Sequence, residues 1–171
     1  RRLLGPETGI LCVMSGHYVQ RGDFAVAGKF ARAAAAVRSG ADLVLELPVP
    51  WALSSAEGFA AGAVEILKAT GVVTHLVFGS EGGDAAPLVR CAEALCSPAF
   101  PQRLREDLKR GDSFPAARQR ALESLLPPAD AGALARPNDT LGVDYCKALR
   151  GGGIQPAAVL RRGAGHNCEA A

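Results

Sequence analysis

The sequence lacks the features that would define a metal site, a disulfide framework or a membrane anchor. Its cysteines are odd in number, and no two of them have C-x-x-C spacing, which argues against a disulfide framework and a zinc ribbon. They are Cys12, Cys91, Cys96, Cys146 and Cys168. No apolar stretch approaches the length of a membrane-spanning helix, and no signal peptide is visible. These absences, together with the cysteine usage, favour a protein of the reducing cytosol that has no membrane partner.

Two further absences restrict the function. The formal net charge is only +2, which is too small to indicate nucleic-acid binding by itself. No Ser/His/Asp or Cys/His order and no metal-ligating cluster stands out, so the sequence assigns no catalytic residue and no metal site.

The residues that are present predict one globular domain over residues 1–171 of the α/β class. Hydrophobic residues make up 49% and charged residues 21% of the chain, which is ordinary for such a domain. Apolar, strand-like runs at residues 9–15, 42–47 and 72–78 alternate with helical patterns at residues 26–39 and from the capping sequence at 54–57 to about Thr70. This order is typical of right-handed βαβ units. The three strands are therefore predicted to lie parallel in one sheet.

The second half of the chain is predicted to be mostly helical. Helices are expected at residues 85–95, 101–109 and 114–126, followed by a small-residue linker at 129–136. These segments form a helical insert at about residues 85–135. A further helix is expected to open at Pro137 and Asn138, with the proline in its first turn, and to run to about Arg150. A short strand at residues 156–160 and a polar loop at residues 161–167 are expected after it.

Candidate site residues lie in loops that follow strands, where open parallel sheets bind their ligands. The first such loop gathers donors and acceptors on a turn flanked by glycine, and its possible ligand-binding residues are Ser15, Gly16, Gln20 and Arg21. Arg21 would suit a phosphate or a carboxylate, because its guanidinium forms two parallel hydrogen bonds. The alternative is a surface loop with an exposed arginine.

Three other segments carry weaker signals. Gly79 opens a glycine-rich turn that would let a backbone approach a ligand, although it matches neither a Walker loop nor G-x-G-x-x-G, and a plain turn remains the alternative. Asn138 begins a helix, where it would serve as an N-cap or, less commonly, bind a ligand. Arg161 and Arg162 follow a strand and would hold a polyphosphate, with solvated surface charge as the alternative.

Six segments, in the same order along the chain, resemble one known family. Residues 14–22 (MSGHYVQRG) resemble its MSGNFVQRGEP motif, and residues 40–48 (GADLVLELP) resemble GVDLVIELP. The remaining four segments are KFAR at 29–32, SAEGFAAGAV at 55–64, FGSE at 78–81 and PNDTLG at 137–142. The family is that of the tRNA(Met) cytidine acetate ligases.

The resemblance implies a Rossmann-like nucleotidyltransferase core with a parallel sheet, followed by a mostly helical segment. It implies an ATP-dependent enzyme that activates acetate as acetyl-adenylate and acetylates the wobble cytidine of elongator tRNA(Met). ATP, expected with Mg²⁺, would contact Gly79, Asn138, Arg161 and Arg162.

The family's H-x-G-H histidines are expected upstream of Arg1, and its tRNA-binding region is expected beyond Ala171. The chain alone is therefore expected to lack ligase activity. The alternatives are another nucleotidyltransferase that adenylylates a small substrate, or a non-catalytic nucleotide- or RNA-binding module.

Overall fold

The computed structural model describes residues 1–20 and 22–160. The chain divides into two compact units, residues 1–74 and residues 75–171, and each is described by itself.

The first unit is built on two parallel strands, β1 (Leu11–Ser15) and β2 (Leu43–Leu47). They are in register from Leu11 opposite Leu43 to Ser15 opposite Leu47, and helix α1 (Lys29–Arg38) connects them. This connection is the predicted βαβ unit. A short helix α2 (Val49–Ala52) and the longer α3 (Ala56–Ala69) complete the unit.

Local signals set the ends of the helices in this unit. The Ser55 hydroxyl accepts a hydrogen bond from the Gly58 N–H at 3.3 Å, so the predicted cap of α3 is confirmed. Gly40 has a φ of 108°, which favours glycine and ends the α1 segment as predicted. Helix α1 nevertheless begins three residues later than predicted, because Gly28 is its N-cap and the Ala25 N–H is bound to the His17 carbonyl oxygen at 2.9 Å.

The second unit is also built on two parallel strands, β3 (His75–Ser80) and β4 (Gln155–Leu160). They pair from His75 opposite Gln155 to Ser80 opposite Leu160. The segment between them is helical, and its helices are α4 (Ala85–Leu95), α5 (Phe100–Lys109), α6 (Phe114–Glu123), α7 (Pro128–Ala131), a 3₁₀ helix (Gly132–Ala135) and α8 (Pro137–Leu149).

The core of the second unit lies where α4 and α8 pack against β3. Phe78, Leu88 and Val143 are among its buried side chains. Gly142 permits close packing here, because a Cβ at this position would lie 2.8 Å from both Leu88 Cδ1 and Phe78 Cε2. The core therefore fixes the N-terminal end of α8 beside the carboxyl end of β3.

The α/β class and the parallel pairing are confirmed, and one prediction is wrong. Strand β1 pairs with β2 and strand β3 pairs with β4, and the expectation that the first three strands share one sheet stays a prediction. An apolar run indicates a buried strand but does not determine its neighbour. The predicted linker at 129–136 is helical instead, because Arg90 donates to both carboxylate oxygens of Asp130 at 2.7 and 2.8 Å and fixes α7 against α4.

Candidate functional site

The turn after β3 is organised by one buried hydroxyl group. Ser80 is fully buried, and its Oγ accepts hydrogen bonds from the backbone N–H groups of Gly82 at 3.0 Å and Gly83 at 2.9 Å. The same hydroxyl donates to Oδ1 of Asp139 in α8. The glycine-rich turn is thus a fixed structure that is connected to the start of α8.

Asp139 is the buried acceptor that joins these two segments. Its side chain is fully buried, and Oδ1 also accepts the Glu81 N–H at 3.0 Å. Its Oδ2 lies 2.7 Å from Nε of Arg136, and this contact is an ion pair without hydrogen-bond alignment. Because a buried carboxylate needs partners to offset its lost hydration, the three contacts explain how it is tolerated.

Glu81 caps the N-terminus of α8 from outside the helix. Its Oε1 accepts the Asn138 N–H at 3.1 Å, and its Oε2 accepts the Asp139 N–H at 2.9 Å. Burial raises the pKa of the Glu81 carboxyl, but the N–H donors of Asn138 and Asp139 outweigh burial and hold that pKa below its usual value. The carboxylate therefore satisfies two of the first amides of the helix, which have no partner inside it.

Asn138 is not an N-cap, so that reading of the sequence is wrong. Arg136 occupies the N-cap position, and Pro137 precedes Asn138 within the first turn. The Asn138 side chain instead donates from Nδ2 to Glu81 Oε1 at 2.8 Å. A carboxylate that comes from 57 residues earlier in the chain thus takes over the capping role.

Gly79 lies in β3, one residue before this network, and is exposed. A Cβ at Gly79 would meet no atom of the described residues within 4 Å. The backbone is therefore accessible beside the Ser80–Glu81 turn. The structure brings Gly79 and Asn138 into the same part of the second unit, through Glu81 and Asp139.

Arg161 and Arg162 follow Leu160 of β4 in the chain and lie outside the described residues. Leu160 itself pairs with Ser80. A Cβ on Gly83 would lie 3.0 Å from the Leu160 Cβ, so the glycine turn is next to the end of β4.

The loop after β1 belongs to the first unit. Gly16 is buried, and a Cβ there would collide with the Glu46 carboxylate. Arg32 donates to the Ser15 carbonyl oxygen at 2.9 Å and also to that of Gly16, while Lys29 forms a 2.7 Å ion pair with Glu46. Gln20 is partly buried, and Arg21 lies outside the described residues.

The structure thus adds residues that the sequence reasoning did not assign to a site. In the second unit these are Ser80, Glu81, Arg136 and Asp139, and in the first unit Lys29, Arg32 and Glu46. Most of them lay within the family motifs, so the resemblance was a usable signal. Their roles depend on contacts between distant segments, which the motifs alone do not indicate.

The described residues contain no group of three His, Cys, Asp or Glu side chains that would hold a metal ion. The two carboxylates of the Ser80 network already have partners, Glu81 with helix amides and Asp139 with Ser80 and Arg136. Burial raises the pKa of the Cys91 thiol to about 11 and that of Cys146 to about 12, so neither is a reactive thiolate near neutral pH.

Comparison with known proteins gives the family. Over residues 2–171 the sequence matches the family described as HIGH Nucleotidyl Transferase. The chain belongs to this family. The Rossmann-like nucleotidyltransferase fold that the resemblance implied is thereby confirmed.

Among the HIGH nucleotidyl transferases, the similar relatives carry the name that the motifs indicated. The chain is 43% identical to the tRNA(Met) cytidine acetate ligase of Fervidobacterium nodosum, over 99% of this chain and 40% of that protein. It is 47% identical to the Thermotoga maritima protein of the same name, over 85% of this chain and 36% of the relative. The resemblance to these ligases is confirmed.

Solved structures agree with this result. The crystal structure of Thermotoga maritima TmcAL bound with alpha-thio ATP superposes with a TM-score of 0.83 at 44% identity, covering 90% of this chain and 39% of that one. The apo crystal structure of the same protein gives a TM-score of 0.85, over 92% of this chain and 39% of that one. The chain therefore spans about two fifths of the length of the relatives it matches.

Within residues 1–20 and 22–160, no helix has the length and apolar character needed to cross a membrane.

Proposed function

We propose that the protein containing this chain is an ATP-dependent acetate ligase that acetylates the wobble cytidine of elongator tRNA(Met). In the first step an acetate oxygen attacks the α-phosphorus of ATP, the bond to the β-phosphate oxygen breaks, and acetyl-adenylate and pyrophosphate form. In the second step the exocyclic amine of cytidine attacks the acetyl carbonyl carbon. AMP leaves, and the amine loses a proton.

One observation carries this proposal: 43% identity with a tRNA(Met) cytidine acetate ligase extends over 99% of the chain. The similar fold of a relative crystallised with an ATP analogue supports the nucleotide as a substrate. The reaction uses ATP and tRNA, which also supports a cytosolic location for the protein.

ATP would contact the second unit at the turn after β3. The exposed backbone at Gly79 admits a ligand, and Asn138 offers a polar side chain on the neighbouring helix. Arg161 and Arg162, which directly follow β4, would stabilise the negative charge that grows on the pyrophosphate as it leaves. The loop with Ser15, Gly16, Gln20 and Arg21 is a further candidate for binding a substrate or a phosphate.

A magnesium ion in this reaction would have to be held mainly by ATP and water. Mg²⁺ in nucleotide sites is commonly bound by one or two carboxylates together with phosphate oxygens. Glu81 and Asp139 are engaged by protein donors, so the described site does not fit a protein-held ion. No step of the proposed reaction is assigned to a metal.

The proposal is tested with the protein as encoded, in two assays. Acetate-dependent exchange of radioactive pyrophosphate into ATP reports the first step, and mass spectrometry of cytidine from elongator and initiator tRNA(Met) transcripts reports the second. We expect exchange only with acetate and acetylation only of the elongator transcript. Exchange that requires a different acid would support the alternative of another adenylylating nucleotidyltransferase, and binding of ATP without exchange would support a non-catalytic module.

A substitution at Arg161 tests the assignment of the phosphate-binding residues. Arg161→Ala removes one charge-assisted contact, so kcat/KM for ATP should fall roughly ten- to a hundredfold. Arg161→Lys should recover only part of this loss, because lysine lacks the planar fork. Unchanged ATP kinetics together with weaker tRNA binding would place this arginine on the RNA surface instead.

A further inference from the structure

The contact between Glu81 and Asn138 determines which way the Asn138 amide is turned. Nδ2 of Asn138 lies 2.8 Å from Glu81 Oε1. An ionised carboxylate accepts hydrogen bonds and donates none, so the amide group that faces it must be the NH₂. The orientation therefore follows from the chemistry of the partner and is not an arbitrary choice between oxygen and nitrogen.

Glu81 is itself held firmly in place. Its two oxygens accept the N–H groups of Asn138 at 3.1 Å and Asp139 at 2.9 Å, and its own N–H donates to Asp139 Oδ1 at 3.0 Å. Glu81 and Asp139 thus bind each other reciprocally, and Asp139 is fully buried. Turning the Asn138 amide would place its oxygen against the Glu81 carboxylate, so the observed orientation is strongly preferred.

The consequence is that Asn138 has only an acceptor left to offer. No described residue donates a hydrogen bond to its Oδ1, and the residue is partly exposed. The amides of Asn138 and Asp139 at the start of α8 are also occupied, by Glu81. This helix end, which would otherwise suit a phosphate, is already neutralised by a carboxylate of the protein.

We infer that Glu81 is a positioning residue. It orients the Asn138 side chain so that Oδ1 of Asn138 accepts a hydrogen bond from a donor on the nucleoside part of ATP. Phosphate oxygens of ATP accept hydrogen bonds, so the Asn138 oxygen cannot bind them. The donors of ATP are the ribose hydroxyls and the exocyclic amine of adenine, and either meets this chemistry. The inference rests on the proposed function, which places ATP beside Asn138.

Binding measurements with the protein as encoded distinguish the two donors. The probes are ATP, inosine triphosphate, which lacks the exocyclic amine, 2′-deoxy-ATP, 3′-deoxy-ATP and inorganic tripolyphosphate. A site that is built to bond a donor rejects an analogue without it. We expect one of the three analogues to bind about two- to tenfold more weakly than ATP, corresponding to one hydrogen bond.

Two variants and a control then test the role of each residue. Asn138→Ala keeps the Glu81 cap on the helix backbone but removes the acceptor, so the preference for ATP over that analogue should disappear while tripolyphosphate binding is unchanged. Glu81→Gln leaves one acceptor oxygen for the donors of both Asn138 and Asp139, so the Asn138 amide is held less firmly in its orientation, and the preference should fall in the same direction. Glu123→Gln is the matched control, since Glu123 is exposed and its side chain accepts a hydrogen bond from Gln119 on the same helix. It should bind every probe as the unsubstituted protein does.

Several results would overturn the inference. If Asn138→Ala weakens the binding of tripolyphosphate as much as that of ATP, Asn138 binds phosphate. If both variants keep the full preference for ATP over the analogue, Asn138 does not bind the nucleoside and Glu81 does not position it. Thermal unfolding of each variant confirms that it is folded, and Asn138→Ala remains decisive if Glu81→Gln unfolds. If the unsubstituted protein catalyses acetate-dependent pyrophosphate exchange but both variants keep the full preference for ATP over the analogue, the proposed function stands and only this inference is refuted. Absence of ATP binding by the unsubstituted protein would refute both.

Discussion

Removing the carboxylate of Asp139 should be the most destabilising polar substitution at the turn after β3. The side chain is fully buried, accepts hydrogen bonds from the Ser80 hydroxyl and the Glu81 N–H, and forms an ion pair with Arg136. Asp139→Ala leaves the first two donors buried without an acceptor, at a cost of about 1–3 kcal/mol each. Loss of the ion pair with Arg136 adds little to this cost, because the Arg136 side chain is 43% exposed and regains contact with water.

The free energy of unfolding should therefore fall by about 3–5 kcal/mol in Asp139→Ala, a range typical of breaking a buried charged contact. Asp139→Asn keeps the shape and one acceptor oxygen, so it should lose about 1–3 kcal/mol, mainly because charge-assisted hydrogen bonds become neutral ones. For a chain of this size, 1 kcal/mol corresponds to roughly 2–4 °C in Tm. The alanine variant should then melt roughly 6–20 °C below the unsubstituted protein.

Urea unfolding followed by circular dichroism measures these losses, and Glu123→Gln serves as the surface control. The order of stability should be unsubstituted protein, then Asp139→Asn, then Asp139→Ala. A loss below about 1 kcal/mol for the alanine variant would refute the reasoning, because a fully buried acceptor of two hydrogen bonds cannot be removed so cheaply. Equal losses for both variants would show that the charge, and not the acceptor geometry, carries the stability.

Three other expectations concern packing, pH and thiol reactivity. Gly142→Ala should lower the free energy of unfolding in urea by about 1–3 kcal/mol, because its Cβ would overlap Leu88. Gly132→Ala is the control and should change that free energy little, since no atom lies within 4 Å of a Cβ at this position. Because the pKa of Glu81 lies below the usual 4.5, its stabilising effect is complete above that pH and is lost as the pH falls through its folded value. The difference in unfolding free energy between the unsubstituted protein and Glu81→Gln should therefore be largest at neutral pH and should shrink below about pH 4.5; a constant difference would contradict the assignment. The buried thiol of Cys91, with a pKa of about 11, should resist iodoacetamide at pH 8 until urea is added, while peptide mapping finds the exposed Cys96 modified in the folded state.

Element positions followed closely from local sequence signals. Helix α4 has the predicted bounds Ala85–Leu95, where Asp84 caps its first turn by accepting the Ala86 N–H. The Ser55 cap and the stop at Gly40 are likewise as predicted. These signals are readable because capping and left-handed glycines depend on a few neighbouring residues. The family motifs added the fold and the candidate residues Gly79 and Asn138.

Other features depended on contacts between segments that are far apart in the chain. The sequence offers no means of pairing Glu81 with Asn138 and predicts an N-cap role for Asn138, whereas the distant Glu81 carboxylate fills that role. The helix α7 was missed for the same reason, since Arg90 and Asp130 meet across 40 residues.

By itself, the sequence determined the α/β class, most helix and strand positions and the family, because periodicity, caps and motifs are local or linear properties of the chain. Only the tertiary structure decided that β3 pairs with β4 and that Ser80, Glu81 and Asp139 form one network. The physical reason is that a strand edge or a carboxylate has many possible partners of equal local chemistry. Packing of the whole unit around the buried core selects one of them.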